Sequence, residues 1–300
     1  VAGTTVAVDL GGTHVRAALV ASDGVVIDRI RRVTPAGDPV PEVIPAMVAE
    51  VARRRGDREA PRRAVVGMPG VIDHEAERLL HAPNLPPGWL AHLTEDWLAE
   101  RIGLPVSLAN DADLAAVGES SFGAGRGHRD VVFVTISTGV GAGLVVDDRL
   151  VRGAHSGGEL GHTVIDRVAA AEGRPCTVED LGSGTAIARM AAEAGLVERD
   201  AELADLVRAG HGPATGIWGS AMDAVGIGLA NLAWIVSPDI VVVGGGVGMN
   251  GDLVLPVIRD RIRRYGPVAL PEIEVANAAL GDDAALAGAA AWWEAVGRGR

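Results

Sequence analysis

Residues 4–20, TTVAVDLGGTHVRAALV, are two apolar runs broken by a Gly-Gly turn, and the pattern returns at 131–153, VVFVTISTGVGAGLVVDDRLVRG. Short β-branched runs on either side of glycine read as paired strands, so each stretch is expected to form a hairpin. A second copy far along the chain points to two related halves rather than one continuous sheet. Buried strands are also expected at 64–67, 106–109 and 240–243, and helices at 41–54, 93–102, 113–120, 184–194, 221–236, 253–265 and 283–295. Strands alternating with helices define an α/β fold. The expected division is a small domain, 1–109 joined by a returning C-terminal helix at 284–300, and a large domain, 110–283.

Composition narrows the chemistry. The 48% apolar content suffices for a substantial core, and a formal charge of −12 works against a nucleic-acid surface. All 27 basic residues are arginine. A chain with no lysine has no P-loop lysine, no protein-kinase strand lysine and no Schiff base. Phosphates would have to be held by backbone N–H groups, hydroxyls, arginine or a cation. Cys176 is the single cysteine, so neither an intramolecular disulfide nor a multi-cysteine metal site is available. No secretory leader is visible, and the longest apolar run, 224–236, is short for a membrane span and carries Asn231. A cytoplasmic protein with no membrane or nucleic-acid partner is the expectation.

Several motifs carry chemistry. DLGGTHVR, from Asp9 to Arg16, sets a carboxylate, bare amides and a hydroxyl at one strand end. That set suits a phosphate tail and its Mg²⁺, or an ordinary hairpin turn. STGVGAG, 137–143, is a second backbone-rich turn, and it gains weight as a repeat of the first. VVVGGGVGMNG, 241–251, spells G-x-G-x-x-G at Gly246, Gly248 and Gly251. Pro267 and Pro271 follow, so a closed βαβ unit is not expected there. A glycine turn against an adenosine face is, with a plain strand-to-helix turn as the alternative. In LANDADLAAVGE, 108–119, Asn110 and Asp111 stand between a strand and a helix. An aspartate there can take a proton from a hydroxyl, or the pair can simply cap the helix. In ELGHTVIDRVAAAEGRPCTVEDLGSG, 159–184, Glu159, His162 and Glu179 suit sugar hydroxyls, which both donate and accept; a lone histidine can equally be structural.

Taken together these residues resemble the ROK family, whose sugar kinases belong to the actin-like ATPase superfamily. The most specific stretch is 136–162, ISTGVGAGLVVDDRLVRGAHSGGELGH. The resemblance implies two actin-like, ribonuclease H-like α/β domains with an interdomain cleft. It implies ATP as phosphoryl donor, with Asp9, Gly11, Gly12 and Thr13 as a first phosphate loop and Thr138 and Gly139 as a second. Gly245 and Gly246 match the adenosine motif, and Asp9 would serve Mg²⁺, directly or through water. Asp111 matches the general base. Asn110, Glu159, His162 and Glu179 match sugar-hydroxyl ligands, and Gly70 and Asn84 match sugar-side loops.

One departure stands out. Most of the family follows the Gly-His with C-x-C-G-x-x-G-C-x-E, whose three cysteines join the histidine on a structural zinc. Here the chain reads GRPCTVEDLGSG, and only Cys176 remains. A tetrahedral structural site needs four ligands, so no structural zinc is expected. The implied reaction is ATP-dependent phosphorylation of a hexose 6-hydroxyl, with glucose first. An amino- or N-acyl-hexosamine, such as a 3-amino-hexose or N-acetylmannosamine, is the alternative. The family's transcriptional repressors form another class, but no helix-turn-helix is expected ahead of Asp9. A homodimer is expected from the resemblance alone.

Overall fold

The computed structural model describes residues 3–37, 40–82, 84–155, 157–196, 200–267 and 272–297; the outer ends of the expected first domain and Pro271 lie outside them. The chain divides into two units. The first comprises Val1–Gly127, Arg149–Gly157 and Asp282–Arg300, and the second His128–Asp148 and Gly158–Gly281.

In the first unit the hairpin forms: β1 (Thr5–Leu10) and β2 (His14–Val20) are antiparallel, with Asp9 opposite Arg16. β3 (Val26–Val33) pairs with β2. β4 (Ala64–Met68) runs parallel to β1, a small hairpin of β5 (Val71–Asp73) and β6 (Arg78–His81) follows, and β7 (Val106–Asn110) runs parallel to β4. The sheet order is β3-β2-β1-β4-β7. Every residue of β4 is buried, which explains why its sequence is an unbroken apolar run rather than an alternating one. The helix Val43–Arg53 buries Ile44, Met47, Val48 and Val51, a single stripe at helical spacing. The helix Glu95–Ile102 starts where the Thr94 hydroxyl accepts the Trp97 N–H at 3.1 Å, and stops at Gly103, whose φ is 73°.

The expected division at residue 110 falls instead after Gly127. The reason is a helix pair within the first unit. Asp111–Phe122 and Ala284–Gly297 approach so closely that a Cβ at Gly118 would lie 2.1 Å from the Ala284 carbonyl oxygen. One at Gly288 would lie 1.9 Å from the Leu114 carbonyl oxygen. Glycine at both positions permits backbone-to-backbone contact. Trp292, fully buried, donates its indole N–H to the Ser107 hydroxyl at 3.0 Å and so ties the C-terminal helix to β7.

The second unit repeats the plan. β8 (Val131–Ile136) and β9 (Val140–Val146) are antiparallel; the strand Ile240–Gly244 is parallel to β8, and Glu274–Asn277 is parallel to that. The helix Gly251–Tyr265 lies between these last two strands in the chain. A βαβ unit is therefore closed here, against the expectation drawn from the prolines. Proline in a connection removes no ladder hydrogen bond. Gly251 is the close-packing glycine of the motif: a Cβ there would lie 1.9 Å from the Asn277 amide oxygen.

The helix Gly212–Val236 begins well before residue 221, because His211 accepts the Ala214 N–H at 3.3 Å and proline sits in the first turn. By length and composition it could cross a membrane, yet half of its most apolar window is buried. Trp218, Met222, Val225 and Leu229 fill the second unit's core with Val132, Val134, Val241 and Val243.

Candidate active site

Parallel pairing aligns Asp9 with Gly67 and Gly67 with Ala109. The Asp9 end of β1 and the Asn110 end of β7 thus share the carboxyl edge of the first sheet, two strand spacings or roughly 10 Å apart. The carboxyl edge of parallel strands is where α/β folds bind ligands.

At that edge Arg16, cross-strand from Asp9, donates to the Asp9 carboxylate from Nε at 2.8 Å and from Nη2 at 2.5 Å. Its other terminal nitrogen donates to the Asp282 carbonyl at 2.8 Å. The glycine turn between the strands is braced from outside. The Thr34 hydroxyl donates to the Gly11 carbonyl at 2.6 Å, and the Thr34 N–H donates to that of Thr13 at 2.9 Å. Gly12 lies against the Asn84 loop, where a Cβ would be 2.7 Å from the Asn84 carbonyl oxygen.

Asn110 is the N-cap of Asp111–Phe122, its amide oxygen accepting from Ala112 N–H at 2.8 Å and Asp113 N–H at 3.3 Å. Its amide nitrogen donates to the Gly70 carbonyl at 3.2 Å. Gly70 has φ +111°, and a Cβ there would collide with the His81 carbonyl oxygen at 2.0 Å. Asn110 therefore both caps the helix and ties it to Gly70, with one amide hydrogen left for another partner. Asp111 follows as the first helical residue, two positions earlier than the expected helix start, half-buried at the same edge.

The second unit carries the other expected residues. Its two glycine turns leave the carboxyl ends of β8 and Ile240–Gly244, which run side by side with Gly244 opposite Thr135. Gly245, at φ +84°, packs so tightly on β8 that a Cβ would lie 2.4 Å from the Ile136 carbonyl oxygen. The Thr138 carbonyl accepts from the Thr185 hydroxyl at 2.8 Å, and the Ser137 carbonyl from the Gly184 N–H at 2.7 Å, which pins this turn to the start of the helix Gly184–Glu193. Asn250 donates to the Gly246 carbonyl at 3.2 Å and to that of Val247 at 3.0 Å. Arg208 in turn holds Asn250 at 2.8 Å and Asp252 at 2.9 Å. The Arg208 hydrogen bond pulls the Asp252 carboxyl below its ordinary value.

Glu179 reaches back to the second glycine turn. Its carboxylate accepts the Val140 N–H at 2.8 Å, and a Cβ at Gly139 would lie 2.4 Å from the same oxygen. Glu159 precedes and His162 ends the short 3₁₀ turn Leu160–His162; both are exposed, with the imidazole Nε2 3.8 Å from a Glu159 oxygen. Two carboxylates bracket the segment between them. Asp166 is held below the ordinary carboxylate value mainly by the Ala169 N–H, and Asp180 mainly by the Cys176 N–H. A depressed folded value means that their contribution is complete above the unfolded value of about 4 and is lost as pH falls through the folded one. Amide exchange at Val168, Ala169, Cys176 and Thr177 should therefore stay protected from about pH 8 to 5 and open below about pH 4. Opening that begins near pH 6 would contradict this origin.

Sequence reasoning missed Arg16, Thr185, Arg208 and Asn250. Only Arg16 left a usable signal, as the residue opposite Asp9 across the glycine turn, where Leu10 pairs with Val15.

Two α/β units of repeated plan, each with glycine turns and carboxylates at or beside the carboxyl edge of its parallel strands, are the architecture that the resemblance to actin-like sugar phosphotransferases implies. Within that class the chain belongs to the ROK family, which it matches over residues 5–296. It is 34% identical to a glucokinase of Streptomyces coelicolor, with 96% of each chain covered. Among solved structures it is similar to a ROK hexokinase from Thermus thermophilus, at 32% identity and a TM-score of 0.83 with 96% of each chain covered. It is also similar to a ROK family glucokinase from Streptomyces griseus in complex with glucose and AMPPNP, at 31% identity and a TM-score of 0.78, covering 97% of this chain and 99% of that one.

Proposed function

We propose that this ROK family protein transfers the γ-phosphoryl group of ATP to the 6-hydroxyl of glucose, with Asp111 as the general base. The observation that carries the reading is the position of Asp111: a carboxylate at a capped helix start, on the same sheet edge as the Asp9 turn. The glucose and AMPPNP of the similar Streptomyces griseus enzyme support the substrate pair. Asp111 accepts the proton of the attacking hydroxyl, which sharpens the nucleophile as the phosphoryl group moves in line. Asn110, Glu159, His162 and Glu179 orient the sugar, with Gly70 and Asn84 shaping its surroundings. Gly11, Gly12, Thr13, Thr138 and Gly139 present backbone and hydroxyl donors to the phosphates; Gly245 lets the turn pack on β8, and Gly246, with open space beside it, admits the adenosine.

Phosphoryl transfer needs positioning and charge neutralisation more than covalent chemistry. The Asp9 carboxylate at its glycine turn suits Mg²⁺ arriving with ATP, and the ion supplies neutralisation of the developing phosphate charge. This reading places the enzyme in the cytoplasm as a homodimer, which sedimentation of the purified chain tests. The deciding experiment is a coupled ADP-release screen over glucose, mannose, fructose, N-acetylmannosamine, N-acetylglucosamine and 3-amino-hexoses. Glucose should give the highest kcat/KM. A preference for an amino- or N-acyl-hexosamine would reassign the substrate, and release of ADP with none of them would overturn the kinase reading.

A further inference from the structure

The structural zinc of the family does not fit this chain. Its site would draw on His162 and Cys176, but among the described residues no three His, Cys, Asp or Glu side chains are arranged to hold a metal ion. His162 faces Glu159 instead, and Cys176 contributes its backbone. The segment is nevertheless tightly organised. The Cys176 carbonyl accepts the Ile165 N–H at 2.9 Å and the Asp166 N–H at 3.2 Å, and the Val178 N–H donates to the Thr163 carbonyl at 3.1 Å. Val164 and Thr177 form an antiparallel bridge. Residues just after His162 are thereby laced to residues just before Glu179.

Asp180 fastens that lacing. Its carboxylate accepts the Cys176 N–H at 3.1 Å and the Thr177 N–H at 3.2 Å, while the Thr177 hydroxyl accepts the Asp180 N–H at 3.1 Å. This reciprocal pair is a capping box on the short helix Val178–Gly182. Leu160 and Val178, one beside each end of the wall, are buried in the second unit's core. The peptide on which Glu179 is mounted is thus fixed on both sides, by Val178 in the core and by Asp180 on the cap.

We propose that Asp180 is a positioning residue that does here what the zinc does elsewhere: through the Thr177 capping box it sets the wall from which Glu159, His162 and Glu179 meet the sugar. The inference rests on the sugar-kinase reading only for the identity of the ligand; the clamp itself is a property of the unliganded chain. It also makes the wall independent of any transition metal, with Mg²⁺ required only for the nucleotide.

The test uses the full chain with Asp180→Ala and Asp180→Asn. Asparagine keeps an oxygen that can accept the two amides, so it is the conservative rescue. Losing a cap of ordinary strength weakens what it supports by about fivefold to tenfold. Asp180→Ala should therefore raise the KM for the sugar about tenfold while the KM for ATP moves less than about twofold. Asp180→Asn should restore most of the difference. In the absence of substrates, exchange of the Cys176 and Thr177 amides should accelerate in Asp180→Ala and not in Asp180→Asn. Treatment with a zinc-selective chelator in excess Mg²⁺ should leave wild-type activity unchanged. If the sugar KM and amide exchange of Asp180→Ala match wild type, or if the chelator removes zinc near one atom per chain together with activity, the proposal fails. If amide exchange responds as expected but wild type phosphorylates no sugar, the clamp stands and the kinase reading falls.

Discussion

Asp111→Ala should lower kcat by at least about 10²–10⁴-fold, the usual contribution of a positioned general base, while the protein stays folded. The structure explains why the two effects separate. Asn110, not Asp111, caps the helix, so the cap survives the substitution. The Asp111 carboxylate also accepts the Ala112 N–H at 2.8 Å, but that N–H keeps the Asn110 amide oxygen as an acceptor when Asp111 is truncated. Asp111→Asn should lose a similar factor in kcat, because an amide of the same shape cannot take the proton. Single-turnover rates with saturating sugar and ATP would show this without interference from product release. An Asp111→Ala enzyme with near-native kcat would end the assignment of the base.

Gly288→Val should be the most damaging change remote from the site. The added Cβ would sit 1.9 Å from the Leu114 carbonyl oxygen, a backbone atom that cannot swing aside. Overpacking of this kind costs about 1–3 kcal/mol, and the helices must separate to relieve it. The helix that moves carries Asp111 at its start, so kcat should fall along with the melting temperature. Gly297→Ala in the same helix is the control, since a Cβ there meets nothing within 4 Å. It should melt with wild type or slightly above it. Equal melting temperatures for Gly288→Val and wild type would mean that the helix pair is not held by backbone contact.

What the sequence disclosed and what it withheld follow one line. Both hairpins were legible because a glycine turn between β-branched runs is a local signal, complete within about 17 residues. Asn110 and Asp111 were legible as a pair for the same reason, though not which of them caps. Gly118 and Gly288 were opaque, since each makes sense only against a helix far away in the chain. That blindness also misplaced the domain boundary: nothing near residue 110 announces that the helix beginning there finds its partner at 284–297. The βαβ unit at Gly246, Gly248 and Gly251 is masked in the sequence by Pro267 and Pro271, yet the parallel pairing of Ile240–Gly244 with Glu274–Asn277 depends on the strands and not on the connection. The clamp at Asp180 was hidden differently. Its Thr-x-x-Asp spacing is that of an ordinary helix cap, which carries no functional signal until the segment it fastens is seen folded.

The pairing of Asp9 with Arg16 bears on how a polyanion enters a chain whose formal charge is −12. A bare carboxylate at the turn proposed to receive phosphate would repel an incoming triphosphate. Arg16 keeps that carboxylate neutralised beforehand, and its hold on the Asp282 carbonyl keeps the guanidinium at the site rather than in solvent. In the proposed reaction Asp9 would hold the Mg²⁺ that comes with ATP, and Arg16, its partner in the unliganded chain, would supply a second cation beside the phosphates. On that reading, nucleotide loading would exchange ionic partners at Asp9 and Arg16 instead of exposing an unpaired carboxylate.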